Sequence, residues 1–314
     1  MNPAWAELPA HPPAQLGESP FWHPAEQRLY WVDISGRALL RARLDGSAAE
    51  RWPLPGEPGC IAPARRQGRD AGLVVALRDR ICHAPEWGGA LTELARLPID
   101  AARQRANDGK CDPLGRFWVG TIHEPASGPR QPVGALHCVD LRVAGRPAVR
   151  AVFVGVTTAN GLAWSPDGRR MYFADTPTHA IRVWDCDASH EPVGAPRVLR
   201  RFATQAESRE AGQPYGGRPD GACVDAEGAY WCALYEGGRV LRLGPEGEVL
   251  AELALPAQCP TMPCLGGPDG DTLLVTSARG GRSEEELARL PLSGQVLAAR
   301  VAVPGLPVAW CELG

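Results

Sequence analysis

Apolar residues along this chain fall in short runs separated by Gly, Pro, Asp and Asn, which is the pattern of strands and turns. The segment from Gly216 to Leu243, GGRPDGACVDAEGAYWCALYEGGRVLRL, shows it most fully. Small and apolar residues at Ala222, Cys223 and Val224 lead into a turn at Asp225 to Gly228. Tyr230 to Leu234 then form an aromatic and aliphatic run. After a second turn at Glu236 to Gly238, apolar and basic residues alternate from Arg239 to Leu243 at the period of two expected of a half-buried strand. This predicts a β-meander. Just ahead of it, Arg218-Pro219-Asp220-Gly221 sets a carboxylate between a residue of fixed φ and one of free φ, beside a buried strand.

The unit recurs. An Asp/Gly-type turn followed by an aromatic or aliphatic pair appears at Leu29-Tyr30-Trp31, Leu73-Val74-Val75, Phe117-Trp118-Val119, Met171-Tyr172-Phe173, Tyr230-Trp231 and Leu273-Leu274-Val275. The intervals fit four short strands and their loops, the length of a propeller blade, so the repeat predicts an all-β, six-bladed β-propeller. The units run on without a Pro/Gly/Ser-rich linker, and residues 1–314 read as a single domain. Proline clusters at Pro53 to Pro58 and Pro125 to Pro132 read as loops. The best helical candidate is Ser283 to Leu290, where Ser283 and Glu286 have capping-box spacing and Pro291 ends the run.

Composition narrows the partners. Lys+Arg 33 against Asp+Glu 36 leaves a formal net charge of −3, without the basic excess of a nucleic-acid or anionic-membrane binder. The amino-terminal residues lack a basic stretch followed by an apolar core, and runs such as Leu73 to Leu77 are too short to span a bilayer; a soluble, cytoplasmic protein is expected. Most of the ten cysteines lie in strand-like surroundings, where a free thiol packs as a small hydrophobe. Cys259 and Cys264 are close enough in sequence to pair, but no C-x-x-C pattern or His spacing suggests a zinc site.

A ring of blades gathers residues remote in sequence at one end of a central channel. Polar groups stand in the same phase, just ahead of the turn-strand signature: Glu18, Asn107 with Asp108, Asn160 and Asp220. A single Asn-Gly or Asp-Gly pair is ordinary turn chemistry; four at matching positions point to a shared site. Glu18, Asn160 and Asp220 would offer two charges and one neutral carbonyl, a donor set for a hard divalent cation with coordination positions left open. No nucleophile elbow, H-E-x-x-H, Walker A loop or dinucleotide fingerprint occurs. Asp167-Gly168 and Asp269-Gly270 read as hairpin turns, and His123 as a solvated loop residue.

The stretches LGESPFWHPAEQRLYWVDI, RANDGKCDPLGRFWVGT, ANGLAWSPDGRRMYFADT and RPDGACVDAEGAYWCALYEGGRVLRL, with a weaker LGGPDGDTLLVTSAR, span almost the whole chain. On these the chain resembles the SMP-30/gluconolactonase/regucalcin-like family. The resemblance implies one divalent metal (Ca, Zn, Mn or Mg) in the channel, held by Glu18, Asn160 and Asp220. It also implies substrate contacts from Arg105 and Asn107, and from Glu124 in Gly120-Thr121-Ile122-His123-Glu124-Pro125, although some relatives place the acidic residue where this chain has Pro125. The activity implied is hydrolysis of a sugar lactone to its aldonic acid, with Asp220 either as general base or, since a cation-bound Asp is a weak base, orienting a metal-bound hydroxide that is itself the nucleophile. A phosphotriesterase on the same scaffold and a non-enzymatic calcium-binding protein are the other outcomes that the resemblance allows.

Overall fold

The computed structural model describes residues 3–8 and 12–314. Six sheets, antiparallel apart from one added parallel strand in the second, follow one another along the chain, and their inner strands touch in a closed ring. These inner strands are Gly17–His23, Pro58–Arg66, Gln104–Cys111, Ala159–Trp164, Arg218–Val224 and Pro260–Gly266. The six recurring apolar pairs are the second strands: Arg28–Asp33, Arg69–Leu77, Phe117–His123, Arg170–Asp175, Tyr230–Tyr235 and Thr272–Ser277. This is the six-bladed propeller predicted from the repeat.

The repeat has a local physical cause. In the third blade Asp112 is buried in the turn, where its Oδ1 accepts from the amides of Leu114 and Arg116, both at 2.9 Å, and its Oδ2 from Trp118 Nε1 at 2.8 Å. In the fifth, Asp225 does the same with the amides of Glu227 and Ala229, both at 3.0 Å, and with Trp231 Nε1 at 2.9 Å. One carboxylate thus closes the turn and anchors the aromatic residue of the next strand. In these two blades it explains why Asp, Gly and an aromatic residue stand together.

The hydrophobic cores lie between blades. Tyr172 of the fourth blade packs against Tyr230 of the fifth with ring centroids 4.8 Å apart, and Trp118 meets Trp164 edge-on at 5.5 Å. Each inner or second strand is therefore covered on both faces, and Gly17–His23, Phe117–His123 and Ala159–Trp164 are buried throughout. This corrects the half-buried reading of Arg239–Leu243: Val240 and Leu241 point to opposite faces, yet each enters a core. Only outer strands such as Pro192–Arg201 are largely exposed.

Ring closure uses both ends of the described chain. Ala6–Leu8 pairs with Val296–Arg300 and supplies the outer strand of the last blade, while Cys311–Leu313 lies parallel to Pro58–Arg66. Thr261 Oγ1 donates to Gly17 O at 2.5 Å and ties the last inner strand to the first. The predicted helix is present as Glu284–Arg289, with Ser283 Oγ accepting from Glu286 N; a second helix, Gln205–Glu210, carries a complete Thr204/Glu207 capping box. The cysteines are free thiols, most of them buried. Among the described residues no helix is long and apolar enough to cross a membrane.

Every inner strand carries a register shift at the same phase. It lies between Glu18 and Phe21, Pro58 and Cys60, Ala106 and Gly109, Asn160 and Ala163, Pro219 and Ala222, and Pro260 and Pro263. Bulges re-aim side chains and break pairing locally. In four of the six blades the bulge carries polar residues of the predicted site, whereas in the second it holds Pro58, Gly59 and Cys60.

Candidate functional site

Glu18, Asp108, Asn160 and Asp220 sit at these bulges on four different blades, 8%, 5%, 3% and 6% exposed respectively. Their backbones are held from outside the channel. Asp33 Oδ1 accepts from the amide of Leu16 at 3.1 Å, ahead of Glu18, and the Asp175 carboxylate accepts from Thr157 and Thr158, at 3.1 and 2.8 Å, ahead of Asn160. Gly161, at φ +65°, carries the bulge after Asn160; its carbonyl accepts from Tyr230 Oη at 2.7 Å, and a Cβ there would lie 2.5 Å from that oxygen.

The amide of Asn160 is fixed at both ends. Its Nδ2 donates to Thr176 Oγ1 at 2.8 Å, and Thr176 donates in turn to Pro219 O at 2.9 Å, the residue before Asp220. Its Oδ1 accepts from Asn107 Nδ2 at 3.1 Å. This chain links the fourth and fifth blades and presents an oxygen to the channel. Asp108 Oδ2 accepts from Leu162 N at 3.1 Å, while its Oδ1 is buried without a partner among the described residues.

The electrostatics are those of buried carboxylates, with like charge adding to burial at Glu18 and Asp220. Burial pushes the Asp220 carboxyl up to about 8, with the neighbouring Asp108 adding to the effect. Glu18 is raised well above the usual carboxylate range, first by burial and then by Asp220 and Asp108. Asp108 is raised by burial as well. Nearby cations do little to relieve them, because Arg105 is paired with Glu124 and Arg218 with Glu236. Lys110, the one lysine in the sequence, donates to Ala222 O at 3.0 Å. An orphaned carboxylate oxygen within a buried, all-oxygen, net-negative cluster fits a divalent cation.

The remaining predicted residues also gather here. Arg105 Nη1 donates to Asn107 Oδ1 at 2.8 Å and to Ala106 O at 3.0 Å, while its Nε and Nη2 reach Glu124 at 3.1 and 3.3 Å. Glu124, with 41% of its side chain exposed, stands at the rim, and Asn107 lies deeper. Arg105 thus orients both neighbours through a bidentate fork. His123 is not the solvated loop residue expected: it is buried, and its Nδ1 accepts from Gln131 N at 2.8 Å, pinning the loop that follows. Thr176 is a residue that sequence reasoning did not single out, and it placed Asp108 in the channel without giving it a role.

A second cluster of ligand-type atoms, His23, Glu26 and Asp70, lies elsewhere. Its groups already have partners: His23 Nδ1 accepts from Glu26 N, His23 Nε2 faces Asp70 at 3.1 Å, and Glu26 accepts from Tyr30 Oη at 2.5 Å and Arg41 Nη1 at 3.1 Å. Unlike the channel cluster, it holds no buried carboxylate oxygen in want of a cation.

Residues 16–279 match the family described as the SMP-30/Gluconolactonase/LRE-like region. The 6-deoxy-6-sulfogluconolactonase of Pseudomonas putida is 43% identical over 293 residues, covering 93% of this chain and 94% of its own length. The L-arabinolactonase of Azospirillum brasilense is 35% identical over 294 residues, covering 94% and 91%. Among solved structures, a calcium-binding protein, regucalcin, from Agrobacterium tumefaciens superimposes with a TM-score of 0.86 at 28% identity, covering 99% of this chain and 98% of that one.

Proposed function

The chain belongs to the SMP-30/gluconolactonase/LRE-like family, and from that premise we propose that it hydrolyses a sugar lactone to the corresponding aldonic acid, with one divalent cation held by Glu18, Asn160 and Asp220. The reading is supported by buried oxygen donors carried on four blades, Glu18, Asp108, Asn160 and Asp220, with Asp220 held above the usual carboxylate range first by burial and then by Asp108. The relatives named for a sulfonated gluconolactone and for an arabinolactone support the class of substrate without selecting the sugar.

A bound divalent cation would supply Lewis-acid polarisation of the ester carbonyl. Asp220 holds the attacking water and accepts its proton as the water oxygen bonds to the carbonyl carbon. The bond from that carbon to the ring oxygen then breaks, and the ring oxygen leaves as a hydroxyl, with the proton returned from Asp220. Asn160, braced by Thr176 and Asn107, keeps its carbonyl oxygen aimed at the channel. Glu124 and Asn107 bind sugar hydroxyls, and Arg105 holds both in place. Burial of the site excludes bulk water from everything except the mouth.

Proton release in weakly buffered solution, measured with a panel of five- and six-membered aldonolactones beside an aryl phosphotriester, tests this reading. Turnover of lactones that is abolished by chelation and restored by a divalent cation is expected. Turnover of the phosphotriester alone, or of nothing in the presence of each cation, would contradict it.

A further inference from the structure

The rim above Asp220 is a chain of opposed charges. Arg105 pairs with Glu124, Arg218 with Glu236, and Arg282 with Glu286 and, at 3.5 Å, with Glu236. These three guanidiniums are matched by three carboxylates. A fourth, Arg130, forms no hydrogen bond and no ion pair among the described residues. The residue as a whole is exposed, its charge acts on Asp220, and its charged neighbours are Arg105, Glu124 and Arg218. Partial desolvation, and then the like charge of Arg105, hold it below its ordinary value. A cation so placed repels its neighbours and is stabilised by an incoming anion.

The loop that carries Arg130 is held at both ends. Glu124 N donates to Arg103 O at 2.7 Å, Gln131 N donates to His123 Nδ1 at 2.8 Å, and Gln104 Nε2 donates to Val133 O at 2.9 Å. The Gln131–His123 bond sets Arg130 one residue from an anchor that is itself one residue from Glu124, at the mouth of the site. A neutral sugar lactone lying between Glu124 and Asp220 would leave Arg130 unmatched; a lactone bearing a sulfonate, phosphate or carboxylate away from the ring ester would match it.

We propose that Arg130 is a specificity-determining residue that binds an anionic group on the substrate, making the preferred substrate an acidic sugar lactone. The proposal rests on the lactonase reading above. Its test is steady-state hydrolysis by the full-length protein and by the variants Arg130→Gln and Arg130→Lys. The substrates are glucono-1,5-lactone and its derivatives carrying a sulfonate, a phosphate or a carboxylate at C6. The wild type should favour at least one anionic lactone over the neutral parent. Arg130→Gln should lower kcat/KM for that lactone about ten- to a hundredfold, chiefly through KM, with the neutral lactone changed by less than about twofold. Arg130→Lys should recover part of the loss, and added salt should shrink the difference. The three acidic derivatives distinguish which anion is read. Equal losses on neutral and anionic lactones, or none on any anionic one, would overturn the role of Arg130 while leaving the lactonase reading intact. Failure of the wild type to turn over any lactone would overturn both.

Discussion

Removing the cation should make the protein less stable as pH rises from about 6.5 to 8, a sign opposite to the usual effect of native carboxylates. In the chelated protein Asp220 titrates near 8 because it is buried beside Asp108, whereas in the unfolded chain an aspartate titrates near 3.9. Between those values the folded state holds the extra proton. Stability is therefore highest at the acid end of the interval and declines toward alkaline pH, by about 1.4 kcal/mol per pH unit for each such proton. Over this window Asp220 alone gives a loss of about 2 kcal/mol, or roughly 2–6 °C in Tm for a chain of this size. Glu18 and the buried thiols, all raised by burial, lose stability in the same direction toward pH 8, so the contribution of Asp220 is read from its difference against Asp220→Asn. Glu207, pulled down to about 2 by the backbone amide of Thr204 and by Arg201, matters only at lower pH. Burial lowers His137 and His179, so they subtract stability as pH falls below about 6.5. Thermal unfolding followed by circular dichroism, in chelator and in saturating divalent cation, measures it. The cation should raise Tm most at pH 8 and flatten the profile, and Asp220→Asn should reduce the slope in chelator. A chelated Tm that is flat or rises across the window, with no gain from cation, would refute the reasoning.

Further outcomes follow from individual contacts. Asp220→Asn should keep its far-ultraviolet circular dichroism and lose at least about a hundredfold in kcat/KM for lactone; wild-type turnover in that variant removes its role as base. Thr176→Val frees the Asn160 amide to rotate, and calorimetric titration should show cation affinity about ten- to a hundredfold weaker, with stability reduced by about 1 kcal/mol. Gly161→Ala sets a Cβ against Tyr230 Oη at positive φ, and urea unfolding should show it about 1–3 kcal/mol less stable.

The second strand of every blade was legible because its signals are local. In the third and fifth blades Asp112 and Asp225 close the turn and bind the aromatic residue a few positions on, and in the others an apolar pair follows the turn, so turn and strand are written together in the sequence. Outer strands such as Pro192–Arg201 carry no such signal: they are solvent-facing and lack an apolar period. The helix Gln205–Glu210 had its Thr204-x-x-Glu207 signature in view, but it is too short to show a helical repeat. Within the site, the phase of Glu18, Asn160 and Asp220 was readable, whereas the part played by Asp108 was not. In Asn107-Asp108-Gly109 the bulge decides where each side chain goes, sending Asn107 to Asn160 and Asp108 to Leu162 N. Thr176 joins the site through contacts that the fold makes, accepting from Asn160, 16 residues away in its own blade, and donating to Pro219, 43 residues away in the next.

Oxygen donors brought together from separate blades around one cation are the centre of this account. The most direct measurement is the calorimetric stoichiometry of divalent-cation binding to the chelated full-length protein, made beside the Glu18→Gln/Asp220→Asn double variant. One cation per wild-type chain, and loss of that binding event in the double variant with the fold retained, is the predicted result. Undiminished binding by the double variant, or no binding by the wild type at any cation tried, would contradict it.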